Sequence, residues 1–204
     1  MSTLSQFVSP TSAAEQVDRA QVLSAEIRPL WEGAQLNGPA YTVRCAPGDN
    51  LMLHAAIHRA PAGSVLVVDG GDASHAIAGG NVCAVAHRRG IAGLVVDGAI
   101  RDVKEIRDLG FPVFARAVVP KPGVKAVVLP LQQPVNCGGV LVHPGDLIVA
   151  DEEGIVAVPA DRVETVLTAV AEKARIEKTQ TLDAWNTEHH AKINSILRAA
   201  GVDW

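Results

Sequence analysis

Two short stretches of the chain carry residue types suited to chemistry on a small acid. Gly79-Gly80-Asn81-Val82 opens a helical stretch, and Arg101-Asp102 with Glu105 follows the next apolar run. Exposed backbone N–H groups at a helix start bind an anion without any particular side chain. Glycine there lets a ligand approach the backbone closely. An Arg at the end of a strand can grip a carboxylate through two parallel hydrogen bonds. Asp102 beside it offers a hard oxygen ligand to Mg²⁺ or Mn²⁺, ions that take few protein groups and keep several waters. Together these parts could hold a small 2-oxo acid on a metal ion. The same residues have a plainer reading. Asp102 and Glu105 have the spacing of a helix N-cap and its N3 partner, Arg101 fits a surface charge, and Gly79-Gly80 fits a turn.

Other chemistry-bearing residues fare worse. His54 and His58 stand four apart on one predicted helix, a spacing that can bind metal, but no third ligand or base lies beside them. They read as helix-face histidines, and His189-His190 as a solvated pair or subunit contact. Cys45, Cys83 and Cys137 are scattered, with no C-x-x-C spacing or activating neighbour, and read as reduced, buried thiols. Lys104 would sit among charges rather than in the apolar pocket that a Schiff-base lysine needs. No Gly-rich nucleotide loop follows a strand.

For the two stretches to meet, the elements around them must form βα units. Val65-Leu66-Val67-Val68 and Leu94-Val95-Val96 are short apolar runs, each followed by Asp-Gly, and suit strands buried on both faces. A helix from Asn81 to Arg89, closed by Gly90, lies between them. A second, from Asp102 to Leu109, is closed by Gly110. Upstream, Ser12 to Arg28 reads as a helix and Ala40 to Cys45 as a strand. Asp49 or Asn50 caps a helix from Leu51 to about Ala60. Downstream, strand candidates are Val113–Ala115, Val127–Leu129, Val140–Val142, Leu147–Val149 and Ile155–Val158. Asp161 with Glu164 is a capping-box start for a helix whose face carries Val163, Val166, Leu167, Val170 and Ala174. A last helix from about Leu182 is too short to fold alone, so it must pack on its own domain or a neighbouring subunit. The organisation predicted is one α/β domain over 1–178, with a C-terminal helical extension over 179–204 that serves as an oligomer contact.

Composition removes several classes of function. The 204 residues carry a net charge of −4 with three Phe, three Trp and one Tyr. No basic run is present to track phosphates and few aromatics to stack bases, so direct nucleic-acid binding is not expected. No window of 18 apolar residues predicts a membrane span, and the N-terminus lacks the pattern of a secretory signal. A cytoplasmic protein is expected.

Several motifs in order resemble one family. They are Gly38-Pro-Ala-Tyr-Thr-Val43 with Pro47-Gly-Asp-Asn50, Gly63-Ser-Val-Leu-Val-Val-Asp-Gly-Gly71, and Gly90-Ile-Ala-Gly-Leu-Val-Val-Asp-Gly-Ala-Ile-Arg-Asp102. Phe111-Pro-Val-Phe114, Pro144-Gly-Asp-Leu-Ile-Val-Ala-Asp151 and Gly154-Ile-Val156 continue the match, which spans roughly 36–178. The set resembles the 4-hydroxy-4-methyl-2-oxoglutarate aldolases, a family that includes oxaloacetate decarboxylases and the regulator of ribonuclease activity A. The resemblance implies a compact swivelling β/β/α-type fold, with helices flanking a central sheet or barrel, assembled as homotrimers or homohexamers. It implies that Asp102 ligates Mg²⁺ or Mn²⁺, that Arg101 binds the pyruvyl carboxylate, and that Gly79, Gly80, Asn81 and Val82 supply backbone contacts. Glu177 is the candidate for a carboxylate that reaches a neighbouring subunit's site. The implied activity is divalent-metal-dependent cleavage of a 4-hydroxy-2-oxo acid to release pyruvate, with oxaloacetate decarboxylation. The alternative is a non-catalytic regulator that binds a ribonuclease through protein–protein contacts. In one departure, many family aldolases carry an acidic residue where this chain has Gly80. Retro-aldol cleavage must remove a hydroxyl proton and decarboxylation need not, so the departure bears on the first activity alone.

Overall fold

The central apolar runs are strands covered on both faces. The computed structural model describes residues 7–202. In β3 (Val65–Asp69), Leu66 and Val68 enter one core while Val65 and Val67 enter another. β5 (Gly93–Ile100) repeats the split, with Leu94 and Val96 on the first side and Val95 on the second. The period of two, with both faces covered, is why these runs are uninterrupted by polar residues.

The remaining strands are β1 (Arg28–Pro29), β2 (Leu36–Arg44), β4 (Ala76–Ala78), β6 (Val113–Val118) and β7 (Val135–Cys137), then β8 (Val140–Val142), β9 (Leu147–Asp151) and β10 (Gly154–Val158). The helices are α1 (Pro10–Ala14), α2 (Leu51–Ile57), α3 (Gly80–Arg88), α4 (Val103–Leu109), α5 (Val163–Glu177) and α6 (Leu182–Ala199). The main sheet runs β1-β6-β5-β3-β2-β9-β10, with β4 also paired to β5. β2, β3, β5 and β6 are parallel neighbours, whereas β1, β9 and β10 join antiparallel. The sheet curls into a nearly closed barrel, because one core gathers Val67 and Val95 from its middle, Phe114 from β6, and Ile148 and Ile155 from β9 and β10. α2, α3 and α4 cover the outer face of the parallel part, and α1 and α5 cover β9 and β10. This is the mixed α/β architecture expected.

Several local expectations are corrected. No helix spans Ser12 to Arg28. α1 ends at Ala14, Asp18 accepts a bond from the Ala20 amide in a 3₁₀ turn, and Leu23 and Ile27 are buried in the barrel core. Long-range burial overrides the weak helical propensity of that polar stretch. Val127–Leu129 is not a strand, because the amides of Ala126 and Val127 are taken by the Asp49 carboxylate instead of a ladder. The helix after Pro159 starts with a 3₁₀ turn, and neither Asp161 nor Glu164 forms the capping box. Three strands lie outside those expected from the sequence, β1, β4 and β7. The turn joining β7 to β8 is Gly138-Gly139, both at positive φ (57° and 81°), as a two-residue hairpin of the favoured twist requires.

Among the described residues no helix is long and apolar enough to cross a membrane. α6 lies where predicted, with Thr181 capping the Ala184 amide, but none of its residues is buried. Leu182 is 78% exposed and Ile196 54%. The helix therefore does not pack on its own subunit's core.

Candidate active site

The three-residue strand β4 brings the two chemistry-bearing stretches together. It pairs in parallel with the end of β5, with Ala78 opposite Ile100, and the Arg101 amide donates to the Ala78 carbonyl at 3.1 Å. The next residues on each strand are Gly79-Gly80 and Arg101-Asp102. Each strand then turns into a helix, so the N-termini of α3 and α4 lie side by side at the carboxyl edge of the sheet. That edge is where ligands bind in parallel α/β sheets.

Asp102 occupies the N-cap position of α4 yet does not cap it. Its backbone is left-handed, with φ 60° and ψ 40°, a conformation that Asp tolerates better than most residues. Its Oδ2 accepts the Gly80 amide of α3 at 3.0 Å and lies 3.5 Å from Arg101 Nε. The expected N-cap and N3 pair on α4 is thus replaced by a cap across to the neighbouring helix. Both contacts fall on Oδ2, which leaves Oδ1 for another partner.

A side chain at either glycine would displace the functional side chains packed against it. A methyl group on Gly79 would overlap Asp102 Oδ2 and approach Arg101 Cγ and Nε to 3.0 Å. One on Gly80 would overlap the Glu105 carboxylate. Arg101, Asp102 and Glu105 therefore converge on one spot of backbone.

The anion cradle is smaller than the sequence suggested. The Gly80 amide is taken by Asp102 and the Cys83 amide by the Gly79 carbonyl, which leaves those of Asn81 and Val82 for a ligand. The Val82 side chain packs towards the core, and Asn81 is exposed. Glu177, by contrast, sits at the end of α5 and pairs with Lys173, 3.4 Å away, so within one subunit it does not join the cluster.

The weaker candidates find structural explanations. Lys104 pairs with Asp108 on the exposed side of α4. All three cysteines are buried and unpaired. Burial pushes the Cys45 thiol up to about 11 and that of Cys83 to about 12, and raises that of Cys137 further, so none is a ready thiolate. His54 and His58 border a shallow groove with Ile57, Val82 and Val85. Burial, then Lys125 and His58, lower the His54 imidazole below its usual range, which favours its neutral form. A second, polar cleft of about 270 Å³ opens near Asp69, Asp97 and Arg116. Asp72 in its lining accepts from Ser74, and the other two carboxylates each meet an arginine. Arg44 meets Asp69 at 3.1 Å, and Arg116 meets Asp97 at 2.6 Å and also Glu26.

Among the described residues no group of three or more His, Cys, Asp or Glu side chains is arranged to hold a metal ion. A Mg²⁺- or Mn²⁺-type ion here would have one protein ligand, Asp102 Oδ1, and would fill the rest of its shell with water and ligand oxygens, while the two amides face the anionic end of a ligand.

Residues 11–157 match a family model described as RraA-like, Aldolase/RraA. The chain belongs to the RraA-like family. A Halalkalibacterium halodurans RraA-like relative, named provisionally as a 4-hydroxy-4-methyl-2-oxoglutarate aldolase, is 42% identical over 80% of this chain and 78% of its own. The 4-hydroxy-4-methyl-2-oxoglutarate aldolase of Thermus thermophilus is 38% identical over 54% of this chain and 68% of its own. Streptomyces coelicolor RraAS2, described as an unusual member of the RNase ES inhibitor RraA family, superposes with a TM-score of 0.75. It is 30% identical over 84% of this chain and 90% of its own. Aldolases and ribonuclease inhibitors thus both stand among the RraA-like proteins that this chain resembles.

Proposed function

We propose that the protein is a divalent-metal-dependent lyase that releases pyruvate from 4-hydroxy-2-oxo acids of the 4-hydroxy-4-methyl-2-oxoglutarate type and decarboxylates oxaloacetate. The observation that carries this reading is the convergence of Arg101 and Asp102 on glycine backbone at the start of α3. Mg²⁺ or Mn²⁺, when bound by Asp102, supplies Lewis acidity to the 2-oxo group. Arg101 grips the substrate carboxylate, and the Asn81 and Val82 amides add to that hold at the positive end of α3. The Gly80 amide fixes the Asp102 carboxylate so that it need not reorganise when substrate arrives. Pyruvate release from oxaloacetate and from 4-hydroxy-4-methyl-2-oxoglutarate, assayed with metal and with chelator, tests this. Absence of metal-dependent release from either would refute it.

The close approach makes Gly79 a sharp probe. Gly79→Ala should displace Arg101 and Asp102 together and lower kcat/KM by about 10²-fold, since a misplacement near 1 Å is enough for that. The melting temperature, measured alongside, should move little, because the displaced side chains are partly exposed.

We further propose that α6 packs on a neighbouring copy, giving a homotrimer or homohexamer. A solitary 18-residue helix with no buried residue gains nothing from tertiary packing within its own subunit. Deleting residues 180–204 should lower the number of copies per assembly, from light scattering and the truncated chain's mass, while the barrel stays folded. An unchanged number of copies would refute this.

The second reading, a regulator that binds a ribonuclease, is favoured by the likeness to RraAS2. Tight association with a ribonuclease alongside inert lyase assays would establish it instead.

A further inference from the structure

Given the lyase reading, we propose that Glu105 is the group that takes the proton from the substrate's 4-hydroxyl. Glu105 lies in the first turn of α4, and its carboxylate reaches the same glycine pair that Asp102 meets. Its carboxylate lies where a side chain on Gly80 would begin, with Cδ 2.9 Å from that position. It caps no helix and makes no hydrogen bond or ion pair among the described residues. Its neighbours are otherwise committed. Asp102 Oδ2 is held by the Gly80 amide and Arg101, Lys104 is paired with Asp108, and a guanidinium does not act as a base. Glu105 is therefore the uncommitted carboxylate of the cluster.

In the cleavage step the 4-hydroxyl proton passes to the Glu105 carboxylate, and the O–H electron pair becomes the new C4 carbonyl. The C3–C4 bond breaks, and its pair enters the enolate of pyruvate. The Glu105 carboxylic acid then returns the same proton to C3, which forms the pyruvate methyl group and restores the carboxylate. Oxaloacetate loses CO₂ from the same bond with no hydroxyl proton to remove. Glu105 should thus matter for one substrate far more than for the other.

The test compares Glu105→Gln with wild type on both substrates. Cleavage of 4-hydroxy-4-methyl-2-oxoglutarate should fall by about 10²-fold or more in kcat, the usual contribution of a positioned proton acceptor, with KM little changed. Oxaloacetate decarboxylation by the same variant should persist, which also shows that it folds. In Gly80→Asp/Glu105→Ala, a carboxylate reaches the same space from the other helix and should restore part of the cleavage. Equal losses on both substrates, no loss on either, or no rescue by the double variant would overturn the role of Glu105. A wild type that decarboxylates oxaloacetate but does not cleave the hydroxy acid overturns it too, and leaves the lyase reading standing. A wild type inert on both substrates refutes the lyase reading itself.

Discussion

Replacing Asp102 by Asn is expected to abolish metal-dependent pyruvate release while leaving the fold intact. Asn tolerates the left-handed backbone of this position as well as Asp does, and its carbonyl oxygen can still accept the Gly80 amide. Only the negative charge and a ligand oxygen are lost. Supporting residues around metal ligands already cost 10–100-fold when removed, so a ligand itself should cost at least about 10²-fold in kcat/KM. Asp102→Ala is a poorer probe. It also loses the cap on α3, worth about 1 kcal/mol, and forces Ala into a strained conformation. Pyruvate release and a thermal melt on the Asn variant separate the two roles. Full activity with an unchanged melt would reduce Asp102 to a helix cap.

The largest effect on stability is expected at Asp49. This residue is 2% exposed, and its carboxylate accepts the amides of Leu51 at 2.8 Å, Ala126 at 2.6 Å and Val127 at 3.1 Å. It fixes the turn that enters α2 and anchors the long irregular segment before β7 at the same time. Asp49→Ala removes the charged acceptor that three amides share and should cost about 3 kcal/mol or more. For a chain of this size that lowers Tm by roughly 6–12 °C. Burial pushes the Asp49 carboxyl up, but the three amides outweigh it and hold the group below its ordinary range. A carboxyl depressed by folding contributes stability that is full above its unfolded value, about 3.9, and is lost as pH falls through the folded value. The gap between wild type and Asp49→Ala, measured by urea unfolding, should therefore narrow as the solution is acidified below that range. A gap that widens on acidification would contradict this.

The site was legible as residue types, and its geometry was not. Arg101, Asp102, Gly79 and Gly80 stand out because few other positions combine an anion grip, a hard ligand and bare backbone. What joins them is β4, an Ala-Ile-Ala strand too short to show any period. Asp102 as the cap of α3 depends on that pairing and on a left-handed residue, neither of which spacing within α4 reveals. The βα core was readable for the opposite reason. Its strands are buried on both faces, so their apolar runs are continuous. The N-terminal segment misled because its contacts are long-range, Leu23 with Ile155 and Ser24 with Gly138. Asp49 anchors residues 77 and 78 positions further on, so the run at Val127 looked like a strand. The Gly138-Gly139 hairpin was missed although its turn chemistry is local, because the three-residue strand before it is too short to show a period.

A crystal of the full chain soaked with pyruvate and Mg²⁺ tests the site most directly. Density for pyruvate should lie at the start of α3, with its carboxylate on the Arg101 guanidinium and the Asn81 and Val82 amides, and with the ion between its 2-oxo group and Asp102. Pyruvate bound elsewhere, or an ion that ignores Asp102, would contradict the lyase site described above.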